Sequence, residues 1–183
     1  ETPSDEIVKS FSKYSGIKIE NIVVCILDRP RHKDLINRVR STGARIKLIS
    51  DGDVSAVIAT TIEDSGVDIY MGTGGSPEGV LAAAALRCIG GKMYTKLAFE
   101  DQEQIERAKS MGIKDPKKIY ETEDLASGDV MFSATGVTNG TLLRGVLIKN
   151  EIATTHSVVM RSKTKTVRYV SAYHNLSVKK IIL

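Results

Sequence analysis

Between Ile22 and Ile89 the chain alternates apolar, strand-like runs with helically spaced segments, and this alternation constrains its fold more than any other feature. Ile22-Val23-Val24-Cys25-Ile26-Leu27 is continuously apolar and stops at Asp28, the pattern of a central parallel strand covered on both faces. Leu35, Ile36 and Val39 then recur at helical spacing from Lys33 to Ser41, Gly43 closes the segment, and Arg45-Ile46-Lys47-Leu48-Ile49 forms a second strand. The unit repeats with a helix from Val54 to Ile62 ending at Gly66, a strand Val67-Asp68-Ile69-Tyr70-Met71, and a helix from Pro77 to Ile89 closed by Gly90-Gly91. Such alternation predicts a parallel sheet with crossover helices.

Outside this block the signals change. Ile7, Val8 and Phe11 predict a short amphipathic helix over 5–14, with Ser4 as N-cap and Gly16 beyond its end. Another helix is expected from Asp101 to Met111, with a turn at Asp115-Pro116. Four strand-like runs follow, Val130 to Ala134, Leu143 to Lys149, Ile152 to Met160 and Thr166 to Tyr173, joined by turns at Thr138-Asn139-Gly140 and Lys149-Asn150-Glu151. The fold class expected is α/β: a three-layer α/β/α sandwich with a mixed sheet, its parallel βαβ units first and its antiparallel strands in the C-terminal part. One α/β domain over 1–183 is expected, since no Pro/Gly/Ser linker divides the chain.

Three loops follow the three parallel strands, and ligands of open α/β sheets bind at the carboxyl ends of strands, so the loops should converge on one crevice. In Asp28-Arg29-Pro30-Arg31-His32 two guanidinium groups flank a stiffening proline, an arrangement suited to phosphate and equally readable as a basic surface turn. Ser50-Asp51-Gly52-Asp53 offers two carboxylates around a glycine, suited to sugar hydroxyls or a hard cation. The plainer account is an Asp-Gly turn with Asp53 as helix N-cap. Gly72-Thr73-Gly74-Gly75-Ser76-Pro77-Glu78-Gly79 reads as an anion cradle, with backbone N–H groups exposed by glycine and Pro77 at the first turn of a helix. It lacks the GK[ST] ending of a P-loop, and Pro77 replaces the third glycine of a dinucleotide fingerprint. A carboxylate at Glu78 beside a phosphate calls for a divalent metal between them, or else merely complements the helix dipole.

Charge and cysteine usage exclude other classes. Cys25 and Cys88 form no CxxC pair and read as small buried apolar residues, and three scattered histidines make no Cys/His metal cluster, leaving carboxylates for any metal. The net charge of +4 gathers after Glu151, in Arg161, Lys163, Lys165, Arg168, Lys179 and Lys180. Alternation of these with Val167, Tyr169 and Val170 predicts a solvated edge strand rather than a nucleic-acid surface. No apolar run reaches the ~20 residues of a membrane span, and the opening Glu1-Thr2-Pro3-Ser4-Asp5 lacks a signal-peptide pattern, so a cytoplasmic location is expected.

Leu27-Asp28-Arg29-Pro30-Arg31-His32, Asp51-Gly52-Asp53-Val54, Gly74-Gly75-Ser76-Pro77-Glu78-Gly79-Val80 and Ala134-Thr135-Gly136-Val137-Thr138-Asn139-Gly140, in this order, resemble the GlpX-type class II fructose-1,6-bisphosphatases over nearly the whole chain. The resemblance implies a sugar-phosphatase-like fold and metal-dependent removal of the 1-phosphate of fructose 1,6-bisphosphate in gluconeogenesis, with Mn²⁺ or Mg²⁺ as cofactor. It implies that Arg29, Pro30 and Arg31 hold a substrate phosphate and that Asp51, Gly52 and Asp53 hold the sugar. Gly75 would contact substrate through its backbone, and Glu78 would be a metal ligand. Enzymes of this family carry a long N-terminal region supplying most metal ligands, which is absent here, so the chain is expected to be the C-terminal, substrate-binding half and inactive alone. A non-catalytic sugar-phosphate-binding module and sedoheptulose-1,7-bisphosphatase activity are the alternatives. Antiparallel edge strands suggest a homo-oligomer, and no nucleic-acid or membrane partner is expected.

Overall fold

The computed structural model describes residues 2–179; Lys180, last of the basic residues noted above, lies outside them. The continuous apolar run forms β1 (Val23–Leu27), hydrogen-bonded in parallel to β2 (Arg45–Ile49) on one side and β3 (Ile69–Tyr70) on the other. Central placement explains the run: with helices on both faces, neither parity of side chain meets water. Val24 and Ile26 point into a core with Val8 of α1 (Ser4–Ser15) and Ile36 and Val39 of α2 (Lys33–Ser41). On the opposite face Cys25 meets Ala56 and Ala59 of α3 (Asp53–Ala59). Both cysteines are buried, unbridged thiols, and burial raises the pKa of each.

The expected α/β/α arrangement is therefore present around the parallel sheet, and α4 (Ser76–Ile89) extends it. Ala82 and Leu86 pack with Val57 of α3, while Ala85 and Cys88 face a further core of Phe132, Val158 and Met160. These last three belong to β6 (Met131–Thr135) and β8 (Ile152–Arg161) of an antiparallel sheet, so the α3–α4 layer separates two sheets. Alanine at positions 82, 83, 84 and 85 keeps that helix slim enough to be covered on two sides.

The parallel and antiparallel strands occupy separate sheets. β8 pairs along one edge with β6 and β7 (Leu147–Lys149) and along the other with β9 (Thr166–Asn175). Asn150 and Glu151 both have positive φ, 49° and 59°, the two-residue turn that fixes the β7–β8 register at Lys149 opposite Ile152. β9, carrying Arg168, has no neighbour beyond β8 among the described residues, which matches the expected edge strand.

Several boundaries differ from expectation for local reasons. Ser4 is already helical and Pro3 occupies the N-cap, leaving the Ser4 hydroxyl without a partner. Helix α3 stops at Ala59 rather than Ile62 because the hydroxyls of Thr60 and Thr61 donate to the carbonyls of Val57 and Ile58. The strand expected from Leu143 shrinks to Leu147–Lys149 because residues 136–146 bond largely to one another, with Gly136 and Arg144 N–H donating to His156 O and Nδ1. Gly140 N–H donates to Leu143 O, Val146 N–H to Val137 O, and Gly145 N–H to Asn139 Oδ1. Gly145 is needed there, since a Cβ would lie 2.7 Å from the Thr138 carbonyl carbon. β4 (Tyr94–Lys96) and β5 (Ile119–Glu121) form a two-stranded ribbon flanking α5 (Gln102–Ser110), and α6 (Thr122–Leu125) follows directly. Strands of three residues carry too little alternation to register in the sequence.

Because β1 is covered on both faces, shortening a side chain on it should be costly. Ile26→Ala is expected to lower unfolding free energy by about 2–5 kcal/mol, read from urea denaturation monitored by circular dichroism.

Candidate substrate-binding site

Parallel pairing puts the carboxyl ends of β1, β2 and β3 at one end of the sheet, and the three loops leaving them interlock there. The arginine loop after β1 runs as a short 3₁₀ turn, Pro30–His32, with Pro30 at its first position. Its Arg31 reaches the glycine loop after β3: Nε and Nη2 both donate to the Thr73 carbonyl, at 2.9 and 2.7 Å. His32, 2% exposed, makes the second link. A carbonyl only accepts, so His32 Nδ1 donates to Leu27 O at 2.8 Å, and its Nε2 accepts from the Thr73 N–H at 2.9 Å. Both backbone polar groups of Thr73 are thus held by the arginine loop.

The acidic loop joins through Asp53. A Cβ on Gly74 would lie 3.2 Å from Asp53 Oδ2, so the carboxylate rests against the glycine loop. Gly52, at φ 79°, turns the chain into α3, where Asp53 is the first helical residue and not the N-cap; its Oδ1 accepts from the Val54 N–H at 3.0 Å. Asp51 is exposed, its Oδ2 accepting from the Ser50 hydroxyl at 3.3 Å.

Gly75 is the N-cap of α4, with Ser76 and Pro77 as the first helical residues and no side chain capping that end. Glu78 folds back over Gly75: a Cβ there would overlap Glu78 Oε2. The absence of a side chain at Gly75 therefore gives Glu78 its place above the helix N-terminus, where the dipole favours a carboxylate.

The two arginines are not equivalent. Arg29 donates from Nη1 to Asp28 O and lines a hollow of about 430 Å³ with Pro30, Lys33, Asn37 and Arg40, which Arg31 does not enter. A cavity of about 320 Å³ on the other side of β2 is lined by Ile49, Asp51, Gly52, Ser55 and Thr141 among others. Neither hollow contains Arg31, Gly75 or Glu78, each of which is exposed.

Two residues of the site went unread in the sequence. His32 looked like the tail of a basic turn, and Tyr70 like one more strand residue. Tyr70 lies under the convergence, its hydroxyl 3.5 Å from where a Gly72 Cβ would be. Burial, reinforced by the negative charge of Asp53 and opposed by Arg31, pushes its phenol from 10.0 up to about 12.

Among the described residues no group of three or more His, Cys, Asp or Glu side chains could hold a metal ion. Glu78 is a single carboxylate folded onto its own helix, and the residues present do not by themselves fit a divalent cation site.

The Tyr70 shift has a signed consequence. The unfolded chain releases that proton near 10 while the folded chain holds it to about 12, so stability is lost as pH rises across this window. Tyr70→Phe is expected to remove a tyrosinate absorbance transition at about 12 and to flatten this alkaline loss of stability. Asp53→Asn should bring the Tyr70 midpoint below about 12.

Comparison with known proteins agrees with the motif order. Residues 1–174 match the family described as bacterial fructose-1,6-bisphosphatase, glpX-encoded. The chain is 42% identical over 182 residues to the D-fructose 1,6-bisphosphatase class 2/sedoheptulose 1,7-bisphosphatase of Trichodesmium erythraeum, covering 92% of this chain and 53% of that protein. It is 40% identical over 190 residues to the protein of the same name from Synechocystis, covering 97% of this chain and 55% of the relative. The chain thus spans about half the length of the curated relatives it matches. With a family match over nearly its whole length and relatives above 40% identity or at it, the chain belongs to the bacterial, glpX-encoded fructose-1,6-bisphosphatase family.

Proposed function

We propose that residues 1–183 form one α/β domain, the substrate-binding half of an enzyme that hydrolyses fructose 1,6-bisphosphate to fructose 6-phosphate and phosphate. The observation that carries this reading is the interlocking of a cationic, an acidic and a glycine loop at one sheet end. Phosphate and polyol recognition require different chemistry a few ångströms apart. Arg29 and Arg31 supply permanent charge to a phosphate, and the backbone N–H groups of Gly74, Gly75 and Ser76 supply further donors at a helix N-terminus. Asp51 and Asp53 accept from sugar hydroxyls. Lys33 and Arg40 beside Arg29 add to the positive potential that draws the anion in.

Hydrolysis breaks the bond between phosphorus and the C1 oxygen, with water supplying the new oxygen on phosphorus. A divalent metal, Mn²⁺ or Mg²⁺, would serve to offset the charge on the phosphoryl oxygens. In this reading Glu78 is one ligand and the family's N-terminal region provides the rest, so the chain alone binds without turnover. Binding at the distal 6-phosphate fixes the position of the reacting end. The relatives' names pair fructose 1,6-bisphosphate with sedoheptulose 1,7-bisphosphate, and this site is proposed to accept either sugar. The enzyme's place would be the cytoplasm, as a homo-oligomer in gluconeogenesis. Among the described residues no helix is long and apolar enough to cross a membrane.

The lack of a metal-binding cluster among the described residues favours a second reading, a sugar-phosphate-binding module without catalysis. Calorimetry with fructose 1,6-bisphosphate tests the binding claim. Arg31→Ala should weaken affinity about 10- to 100-fold through loss of a charged hydrogen-bond donor; unchanged affinity would remove Arg31 from the site. In an enzyme containing both halves, Glu78→Gln should depress turnover with Mn²⁺ or Mg²⁺ by at least about tenfold. Full activity of that variant would sink the ligand assignment, and absence of hydrolysis by the complete protein would leave the binding module.

A further inference from the structure

We infer that His32 is a positioning residue: it locks the arginine loop to the glycine loop, and the affinity of the site for a sugar phosphate depends on that lock. The second clause rests on the function proposed above; the first stands on geometry alone. His32 is 2% exposed and uses both ring nitrogens, one toward Leu27 O at the end of β1 and the other toward the Thr73 N–H of the glycine loop. The rigid ring spans the two loops as a strut, and its partners fix one tautomer, protonated on Nδ1 and bare on Nε2.

Thr73 is held twice. Its N–H is bound by His32 and its carbonyl by two donors of the adjacent Arg31, so the peptide planes on either side of Thr73 have no freedom to turn. One consequence is that the Thr73 amide is not available to an anion, and the amides that face a phosphate begin at Gly74. Another is that Arg31 is aimed by the loop it helps to hold, its Nη1 having no hydrogen-bond partner among the described residues. Gly72 shows how closely the glycine loop passes: a Cβ there would meet His32 Cε1 at 3.3 Å and Nε2 at 3.5 Å. Its φ is not in the left-handed region, so approach to His32, rather than backbone conformation, is what calls for glycine. Without the strut, both loops would have to be ordered when the ligand arrives, at the expense of affinity.

The test compares this chain with His32→Asn, His32→Gln and Gly72→Ala. Nitrogen-15 NMR of the unliganded wild type should give a His32 ring protonated on Nδ1, with a scalar coupling across the Thr73 N–H to Nε2 hydrogen bond. Asn keeps a donor for Leu27 O and removes the acceptor for Thr73. His32→Asn should accelerate amide hydrogen exchange at Arg29, Arg31 and residue 32 and across residues 72–76 together and weaken fructose 1,6-bisphosphate binding roughly tenfold by calorimetry. His32→Gln, which can again present an acceptor to Thr73, should recover part of both losses. Gly72→Ala, which leaves His32 in place, should reproduce the exchange effect in weaker form. A His32 ring protonated on Nε2 overturns the inference, as does faster exchange confined to Thr73 or wild-type affinity in His32→Asn. Should the wild type bind no sugar phosphate, the functional reading fails, and the exchange data still decide whether the strut exists.

Discussion

Burial of β1 on both faces is the constraint from which the rest follows. A strand with Val24, Cys25, Ile26 and Leu27 all shielded needs a hydrogen-bonded neighbour on each edge and a helix layer above and below. Side chains of this kind each contribute roughly 1.5–3 kcal/mol when fully buried, so no exposed placement of the strand competes. Parallel neighbours then require crossovers, and crossovers return every strand in the same direction. The three loops meet at one end because the strands they leave run parallel.

At that end the interactions divide into those that shape the site and those left open to a ligand. The backbone of Thr73, the His32 ring, the Arg31 guanidinium and the Leu27 carbonyl hold the loops together. Exposed groups such as Asp51 and the N-terminus of α4 retain unused hydrogen-bonding capacity. The site is thus ordered beneath an open surface, and among the described residues its carboxylates at Asp51, Asp53 and Glu78 are not gathered into a group that could hold a metal ion.

Much of this was legible in the sequence because it depended on local pattern. The order of parallel strands and helices, the two-residue turn at Asn150-Glu151 and the loops bearing Arg31, Asp53 and Gly75 all follow from apolar periodicity and from glycine and proline placement. What escaped was long-range. Nothing around His32 announces that its partner is Thr73, 41 residues away, because a buried bridging imidazole and an exposed one look alike in a basic turn. Tyr70 was hidden similarly, since its environment is set by burial in the folded chain and by the charges of Asp53 and Arg31 from two other loops. The β4–β5 ribbon and the self-bonded segment 136–146 were obscured by short strands and by glycines whose use is close backbone approach rather than turning.

The account's central claim is that three strand-end loops form one ligand face, and chemical-shift mapping tests it most directly. Titration of the nitrogen-15-labelled chain with fructose 1,6-bisphosphate should move the amide signals of Asp28, Arg29, Arg31, His32, residues 50–53, residues 72–76 and Glu78 together, with one common dissociation constant. Shifts confined to one loop, or centred on the hollow along α2 without the glycine loop, would contradict it.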